Sequence, residues 1–457
     1  MTKIAFITLG CPKNQVDSEV MLSRLDEAGY RTALDPAEAD AAVVNTCAFL
    51  ESAVQESIET ILDVARHKKT GRLRALVVAG CLSDRYRDTL MAELPEVDAV
   101  MGTREVGRVV EVVNGLLAPG KAFRSTADDV DLVYGAGSRK VLATGPVSPY
   151  LKIAEGCDAA CTFCIIPQLR GAQRSRRVEN VVEEARVLAA NGAREAVLVA
   201  QDLTAYGSDL YGKPSLARLL RALEEVEGLA WIRLMYANPF YWDEELIEAV
   251  AGSSKVVPYA DMPIQHISDP ILKRMGRRTG KAVITRLVET LRWRVPGIAL
   301  RTNVIVGFPG ETEAHFEELL GFLSWARFDK LVAFPFSPED VAPAVRLPDP
   351  VPPETARERR DRVLALQGSV SLSVNREQVG RTLEVLIEDP GGDGSPARGR
   401  SAREAPEVDG CVRVAGTGME TGAFYPVMIT GADAYDLVGV RAPSPLPDRN
   451  EPVEVVV

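Results

Sequence analysis

A chain of 457 residues is long enough for two to four domains, and its 46% apolar and 26% charged residues are ordinary for globular proteins that bury a core. Lysine and arginine together number 53, against 64 aspartates and glutamates, so the formal net charge is −11. This acidic balance disfavours non-specific binding to nucleic acid or to an anionic membrane surface.

No stretch of the sequence is apolar for long enough to cross a bilayer. The first segment, MTKIAFITLGCPKN, lacks the length of a signal-peptide core. We therefore expect a cytoplasmic protein with no membrane partner. The seven cysteines are an odd number, which argues against a disulfide framework, and the three histidines disfavour zinc sites built mainly from imidazole.

The first region, residues 1–115, alternates apolar segments with amphipathic segments. Continuous apolar strands separated by helices predict a parallel α/β sheet that is covered on both faces. The predicted strands are 3–10, 39–49, 74–81 and 98–102, and the predicted helices are 16–30, 52–69 and 83–94.

Three cysteines, Cys11, Cys47 and Cys81, each fall at or just past the end of one of these strands. Because the carboxyl ends of neighbouring parallel strands converge on one crevice, we expect these three residues, here called the N-terminal triad, to form a shared site. Three separate buried thiols are the alternative, since free cysteine is a common core residue.

The βα alternation resumes after a linker at 116–145 that is rich in glycine, serine and polar residues. Six βα units between 146 and 369 predict a partial barrel, whose reactive groups would gather at the carboxyl ends of its strands. The predicted strands are 150–156, 195–203, 231–237, 259–266, 298–310 and 330–337.

Short β segments with frequent glycine follow a charged helix at 356–378 and predict a small antiparallel β-barrel over 370–440. The acidic tail 441–457 completes the chain. The predicted strands of this barrel are 381–388, 410–416, 425–432 and 436–442.

The segment GCDAACTFC holds Cys157, Cys161 and Cys164, here called the central triad, directly after the first strand of the predicted partial barrel. A zinc ribbon would need a second cysteine pair, and none is present in this region. Three thiolates on an iron–sulfur cubane leave one iron without a protein ligand, and an open position can bind a cofactor or substrate. Structural thiols or a zinc site are the alternatives.

This spacing, with the aromatic Phe163 before the last cysteine, resembles the radical S-adenosylmethionine (SAM) superfamily. The three regions together resemble the methylthiotransferases. The segments LGCPKNQVDSE, YLKIAEGC, FCIIPQLRG and APEVDG resemble the branch that modifies an aspartate in the twelfth protein of the small ribosomal subunit.

The resemblance implies two 4Fe–4S clusters, one on each triad, and makes the central triad the catalytic set of ligands. SAM would bind the open iron of the central cluster, and one electron would cleave it to a radical that abstracts hydrogen from the β-carbon of aspartate. The second cluster would carry a sulfur that a second SAM methylates. An electron donor such as flavodoxin or ferredoxin, a sulfur donor and the ribosomal protein are the implied partners.

Further cofactor-binding candidates follow strands. Phe163 belongs to the cluster motif, and Gln201 and Asp202 are placed to reach SAM or substrate, although a helix cap from Asp202 or Thr204 is an equal alternative. Gly307 and Gly310 would let the backbone approach the adenosyl group, although a turn before the next helix also explains them.

Other polar residues near these motifs have weaker functional interpretations. His266 at a strand end is a modest candidate. Arg170, Arg174 and Arg176 would steady the SAM carboxylate or an anionic cluster, or form a solvated basic face. The remaining two positions are Cys411, which we expect only to pack in a barrel strand, and Val341, which stands where the family pattern has glycine and puts the loop conformation in doubt.

Two other functions remain open. A transfer-RNA methylthiotransferase is the closest one, but residues 371–440 carry six arginines, no lysine and eleven acidic residues, so we expect RNA binding not to dominate. A lysine-rich ribosomal protein would be attracted to such a surface. A non-catalytic iron–sulfur carrier or scaffold would need a fourth ligand for each cluster.

Overall fold

The computed structural model describes residues 2–118, 139, 142, 145–392 and 394–443. Most of the predicted linker at 116–145 and of the predicted tail at 441–457 therefore lies outside the described residues. The chain divides into two compact units, each built from separate stretches of sequence. The first unit comprises Met1–Asn191, Ala196–Glu227 and Ser337–Leu347, and the second comprises Gly192–Glu195, Gly228–Phe336 and Pro348–Val457.

The first unit opens with a five-stranded parallel sheet in the order β2-β1-β3-β4-β5. Alternate residues of β3 enter two different apolar cores, because Ala42 and Val44 pack on one face and Ala41 and Val43 on the other. This confirms the predicted sheet covered on both sides. Its elements are β1 (Lys3–Thr8), α1 (Pro12–Glu27), β2 (Arg31–Ala33), β3 (Ala41–Thr46), α2 (Glu51–Ala65), α3 (His67–Thr70), β4 (Ala75–Gly80), α4 (Cys81–Glu93), β5 (Ala99–Met101) and α5 (Val109–Leu117).

The rest of the first unit begins the predicted partial barrel. The predicted strand 150–156 is two short strands that diverge, since β6 pairs in parallel with β9 and β7 pairs antiparallel with β8. The elements are β6 (Tyr150–Lys152), β7 (Ala154–Glu155), α6 (Ile166–Arg170), β8 (Arg174–Ser175), α7 (Val178–Ala190), β9 (Glu195–Val199), α8 (Ser208–Tyr211) and α9 (Leu216–Glu224).

The returning segment, Ser337–Leu347, also belongs to the first unit. Ala342 packs in the same apolar core as Cys81, and the backbone amide of Ala344 donates to the carbonyl of Thr162 at 2.8 Å. Arg85 forms a buried ion pair with Glu339 at 2.8 Å. This segment therefore contributes directly to the packing around both cysteine triads.

The second unit contains four parallel strands, β10 to β13, which pair in chain order, with helices between them. Together with β6 and β9, the chain has the six strands predicted for the partial barrel. The elements are β10 (Trp231–Leu234), α10 (Glu244–Gly252), β11 (Val256–Asp261), α11 (Asp269–Arg274), α12 (Lys281–Arg294), β12 (Ala299–Val306), α13 (Glu313–Ala326), β13 (Lys330–Pro335) and α14 (Pro353–Arg376).

The C-terminal strands close into a five-stranded barrel. It is not antiparallel throughout, because β16 and β18 pair in parallel, and it contains one strand that the sequence did not predict, β15. The last turns of α14 lie inside the range predicted for the barrel, where the Ser371 hydroxyl is buried and bonds the carbonyl of Asp329. The strands are β14 (Thr382–Asp389), β15 (Ala397–Arg400), β16 (Val412–Ala415), β17 (Phe424–Ala432) and β18 (Leu437–Arg441).

Among the described residues, no helix is both long enough and apolar enough to span a membrane.

A buried ion triad ties the barrel to the parallel strands inside the second unit. Glu195 accepts from the Arg233 Nε at 2.6 Å and from the Arg400 Nη2 at 2.5 Å, and all three side chains are almost wholly buried. Burial alone would raise the pKa of Glu195, but the two guanidinium groups lower it from an ordinary 4.5 to about 2. The charged form of Glu195 is therefore the stabilising one.

We predict that Glu195→Gln lowers the free energy of unfolding by about 3–5 kcal/mol, because it leaves two buried guanidiniums without their shared anion. Protonation has the same effect, so the contribution of Glu195 is complete above pH 4.5 and is lost as the pH falls towards 2. Urea unfolding at neutral pH measures the loss. The control is Glu183→Gln at an exposed position, and an equal effect of both variants would contradict the prediction.

Candidate functional site

The N-terminal triad lies at the carboxyl ends of three neighbouring strands, as predicted. Cys11 follows β1 and caps α1, Cys47 directly follows β3, and Cys81 is the first residue of α4 after β4. Two of the three sulfurs therefore sit at helix N-termini, where the helix dipole favours a thiolate.

Close backbone approach brings this triad together. Gly10 has φ +93°, and a Cβ at this position would lie 2.7 Å from the Cys47 Cβ and 3.1 Å from its sulfur. Gly80 has the same φ, and a Cβ there would lie 2.4 Å from the Asn45 side chain. Only glycine fits before Cys11 and Cys81, so the loops that carry them can approach the neighbouring strand end.

Buried amides fix the loops of the N-terminal triad. The Asn14 Nδ2 donates to the carbonyls of Leu9 and Thr46, at 3.0 and 2.7 Å, and so joins the start of α1 to the end of β3. The Asn45 Nδ2 donates to the carbonyl of Asn14 at 2.8 Å. The Ser57 hydroxyl bonds both backbone groups of Cys47. The positions of the cysteines are therefore set by hydrogen bonds as well as by packing.

The thiols of this triad have different acidities. Burial would raise the pKa of Cys11, but the charges of Lys13 and Arg170 and the backbone amides at the start of α1 bring it below its ordinary value. Burial raises the pKa of Cys47 and takes that of Cys81 to about 12. The charge of Cys11 adds to both rises, and the charge of Cys47 adds to that of Cys81. Cys11 is thus the most readily ionised thiol of the triad.

The central triad occupies the loop between β7 and α6. The amide of Cys157 donates to the carbonyl of Gly171 at 3.1 Å, and the amide of Cys164 donates to the carbonyl of Cys161 at 3.2 Å. Burial raises the pKa of Cys157 to about 11, and the charges of Asp202 and Cys161 raise it further, while the amide of Ala159 opposes the rise. The three cysteines are all partly exposed.

A buried ionic network joins the two triads within the first unit. The Arg170 Nη1 contacts both Glu155 oxygens at 2.9 Å and the Asp17 Oδ2 at 3.2 Å. The Lys152 ammonium contacts the other Asp17 oxygen and the Glu155 Oε2. All four side chains are nearly inaccessible to solvent, and two positive charges balance two negative ones.

This network contacts one cysteine of the N-terminal triad and lies next in sequence to the central triad. The Arg170 Nη2 donates to the Cys81 sulfur at 3.5 Å and to the Asn14 Oδ1 at 2.7 Å. Glu155 stands two residues before Cys157 and accepts from the Gln201 side chain. The same ion pairs therefore connect the loops of the N-terminal triad, through Arg170, with the strand that precedes the central triad, through Glu155.

Most residues of this network were not predicted as site residues from the sequence. Asn14, Asp17, Lys152 and Glu155 were not singled out, although the charged Lys152 and Glu155 interrupt an otherwise apolar strand segment, which was an available signal. A solvated basic face, the alternative role for Arg170, is wrong, because the Arg170 side chain is 1% exposed.

The other candidates of the first unit lie beside the central triad. Phe163 is half-buried in the turn between Cys161 and Cys164. The Asp202 Oδ1 accepts from the Thr204 hydroxyl at 2.9 Å and from the amide of Ala205. These bonds close a turn, and the helix cap considered as the alternative is wrong, because the next helix begins at Ser208 after Gly207. The Gln201 Oε1 is buried and has no hydrogen-bond partner among the described residues, so it is an acceptor available to a ligand.

Gly307 and Gly310 belong to the second unit, and contacts within that unit explain both glycines. A Cβ at Gly307, where φ is +73°, would lie 2.3 Å from the Ala356 Cβ. A Cβ at Gly310, where φ is +85°, would lie 1.7 Å from the Arg274 guanidinium. Close packing of α14 therefore requires glycine at Gly307, and the positive φ favours glycine at Gly310. The adenosyl contact stays a prediction.

The weaker candidates have structural partners. His266 is fully buried, and its Nδ1 accepts from the amide of Ser268. Arg176 pairs with Glu184, and Arg174 donates to backbone carbonyls. The remaining two positions are Cys411, which is half-buried directly before β16, and Val341, which does not adopt a positive φ and whose carbonyl accepts from Gln168.

The donor sets fit iron–sulfur clusters. Within the described part of the chain, no three Cys, His, Asp or Glu side chains converge on a position for a single metal ion. A cubane instead binds each thiolate on a different iron, so its ligands surround a larger body. A guanidinium against one triad and the free Gln201 acceptor near the other also suit an anionic cluster and a polar cofactor.

Three family descriptions match successive parts of the chain. The uncharacterized protein family UPF0004 matches residues 3–102, the radical SAM superfamily matches 151–323, and the TRAM domain matches 379–441. The three matches follow the order of the predicted regions.

Curated relatives match nearly the whole chain. The ribosomal protein uS12 methylthiotransferase RimO of Anaeromyxobacter sp. (strain Fw109-5) is 49% identical over 454 residues, covering 98% of this chain and 96% of its own. The protein of the same name from Desulforudis audaxviator is 48% identical over 441 residues, covering 95% and 96%.

Solved structures share the fold at low sequence identity. The radical SAM methyltransferase TsrM of Kitasatospora setae has a TM-score of 0.53 at 15% identity and covers 86% of this chain and 79% of its own. The cobalamin-dependent radical SAM enzyme OxsB has a TM-score of 0.53 at 13% identity and covers 80% and 56%. These likenesses confirm the radical SAM fold.

We predict that Gly156→Ala destabilises the loop of the central triad. Gly156 has φ +79°, and an added Cβ would lie 2.1 Å from the Ala172 carbonyl oxygen. The backbone strain alone costs about 1–3 kcal/mol. Urea unfolding checks the prediction. The control is Gly321→Ala, an open position in α13 where alanine is expected to be neutral or to stabilise by about 0.5–1 kcal/mol. Equal stability of the two variants would contradict the prediction.

Proposed function

The chain belongs to the family of ribosomal protein uS12 methylthiotransferases, and from this premise we propose that it methylthiolates the β-carbon of an aspartate in uS12. The enzyme is a radical SAM methylthiotransferase. The observation that carries the proposal is the presence of two three-cysteine sets in one unit, joined by a buried ionic network. Three ligands for each cluster leave an open iron at each site, which is what a reaction with two reagents requires.

The two triads have separate roles in this proposal. The central triad holds the cluster that binds SAM, and the N-terminal triad holds a second 4Fe–4S cluster for the sulfur that is transferred. When bound, these groups supply a radical that removes hydrogen from the substrate carbon and a sulfur that is methylated by a second SAM.

The residues around the central triad orient the cofactor. Gln201 is held by Glu155 through its amide nitrogen, so its free oxygen is fixed and accepts from a polar group of SAM. Phe163 contributes an apolar surface inside the cluster loop. The buried ion pairs of Glu155 with Lys152 and Arg170 hold the strand that leads into this loop.

The charge of the C-terminal barrel supports a protein substrate. Three of its six arginines are neutralised by carboxylates, since Arg400 pairs with Glu195, Arg403 with Asp329 and Arg413 with Asp433. Arginines that are already paired contribute little to phosphate binding. An acidic barrel instead attracts a basic ribosomal protein.

Three further parts of the proposal concern the reaction's surroundings. A one-electron donor such as flavodoxin or ferredoxin reduces the cluster, and a separate donor supplies the sulfur. The reaction takes place in the cytoplasm, where ribosomal proteins are available.

We predict that anaerobic reconstitution gives about eight iron atoms per chain and that Cys47→Ser or Cys161→Ser each lowers the content to about four, since each variant loses one four-iron cluster. Iron and sulfide analysis measures the change. Cys411→Ser is the control and keeps the full content, because Cys411 belongs to neither triad. Four iron atoms in the unsubstituted protein would contradict the second cluster.

We predict that the reconstituted enzyme, with reductant, SAM, sulfide and uS12, adds one methylthio group to an aspartate of uS12. Tandem mass spectrometry of proteolytic peptides locates the group, and deuterium at the aspartate β-carbon is expected to move to 5′-deoxyadenosine. Transfer RNA is the competing substrate in a parallel reaction. Modification of an adenosine in that RNA, with none of uS12, would overturn the assignment.

A further inference from the structure

One guanidinium, that of Arg170, contacts the Cys81 sulfur of the N-terminal triad and also Glu155, which stands two residues before the central triad. We infer that Arg170 is a positioning residue that sets the reduction potential of the cluster on the N-terminal triad, through its hydrogen bond to the Cys81 sulfur and its fixed place in the ionic network. The inference rests on the proposed second cluster and goes beyond it, because it assigns a role to a residue that is not a ligand.

Arg170 is held from three directions. Its Nη2 donates to the Cys81 sulfur at 3.5 Å and to the Asn14 Oδ1 at 2.7 Å, while its Nη1 contacts Glu155 and Asp17. Such a planar fork, bonded on both sides, has one orientation, so the donor stays aimed at the sulfur. Asn14 itself joins the loops before Cys11 and Cys47, which extends the same constraint to the whole triad.

The charge of Arg170 lies directly against the N-terminal triad, because its Nη2 is 3.5 Å from the Cys81 sulfur. The side chain is 1% exposed, so water screens this charge only weakly. A positive charge and a hydrogen bond at the ligand sulfur favour the reduced cluster, because reduction adds negative charge there.

The charge balance of the network predicts the direction in which each substitution shifts the reduction potential. Arg170 and Lys152 together match Asp17 and Glu155, so the four groups sum to zero. Removing Arg170 leaves one net negative charge beside the thiolates and lowers the potential. Removing the charge of Asp17 leaves one net positive charge and raises it.

The experiment uses the full-length chain with all three cysteines of the central triad changed to alanine, so that only one cluster is reconstituted. Titration with dithionite adds one electron to each oxidised cluster, and electron paramagnetic resonance reports the reduced fraction. In this parent, we expect Arg170→Gln to shift the reduction equilibrium at least tenfold towards the oxidised form, which is 59 mV for one electron. Arg170→Lys keeps the charge but not the fork, and a smaller shift in the same direction is expected.

Asp17→Asn is expected to shift the potential in the opposite direction, which general damage to the fold would not do. The matched control is Arg139→Gln. Arg139 is as buried as Arg170, and its partners among the described residues are Glu19, Glu184 and the carbonyl of Tyr150. Its substitution should leave the potential unchanged.

The outcomes separate this inference from the proposed function. Unchanged potentials in the Arg170 variants, or shifts of equal sign in Arg170→Gln and Asp17→Asn, overturn the role of Arg170 and leave the second cluster standing. A parent that binds no cluster overturns the second cluster and the inference with it. If the Arg170→Gln variant does not bind the cluster, the potentials of the Arg170→Lys and Asp17→Asn variants test the role of Arg170 by their opposite directions of shift.

Discussion

The cost of burying charge governs the first unit. Four ionised side chains lie almost without water contact, and removing an ion from water costs several kcal/mol even after relaxation. Their mutual pairing offsets that cost only in one geometry, which joins α1, β6, β7 and α6. Cys11 directly precedes α1, and the central triad lies in the loop between β7 and α6, so the geometry that satisfies the charges also positions these cysteines. In the other unit, the buried ion pairs of Glu195 with Arg233 and Arg400 also offset the cost of burying charge, but no cysteine lies among them.

The parallel sheet and the strand-end cysteines were predictable because they depend on local patterns. Continuous apolar runs give strands buried on both faces, and Val43 and Val44 do pack in opposite cores. The direction of parallel strands then brings Cys11, Cys47 and Cys81 to one edge. The spacing of the central triad was visible in the sequence in the same way.

The supporting charges were not predictable, because they come from residues far apart in sequence that meet only in the folded chain. Asp17 and Arg170 are separated by 153 positions. The strand β15 was missed for a different reason. The segment before it, DPGGDGSP, is rich in glycine and proline and is typical of a loop. Within the strand, Gly399 is required because a Cβ there would lie 2.3 Å from the Leu386 carbonyl oxygen. Glycine is typical of turns in a sequence, but here Gly399 allows two strands to pair closely.

The discontinuity of the first unit has a consequence for biosynthesis. Ser337–Leu347 packs with the sheet and with the loop of Thr162, so the unit is incomplete until that segment has left the ribosome. At elongation rates of about 5–20 residues per second, the interval after Cys164 emerges lasts roughly 10–40 seconds. During that interval the two triads lack the packing that this segment provides, and their thiols are open to oxidants. The order in which the chain leaves the ribosome therefore affects how long these thiols stay unprotected.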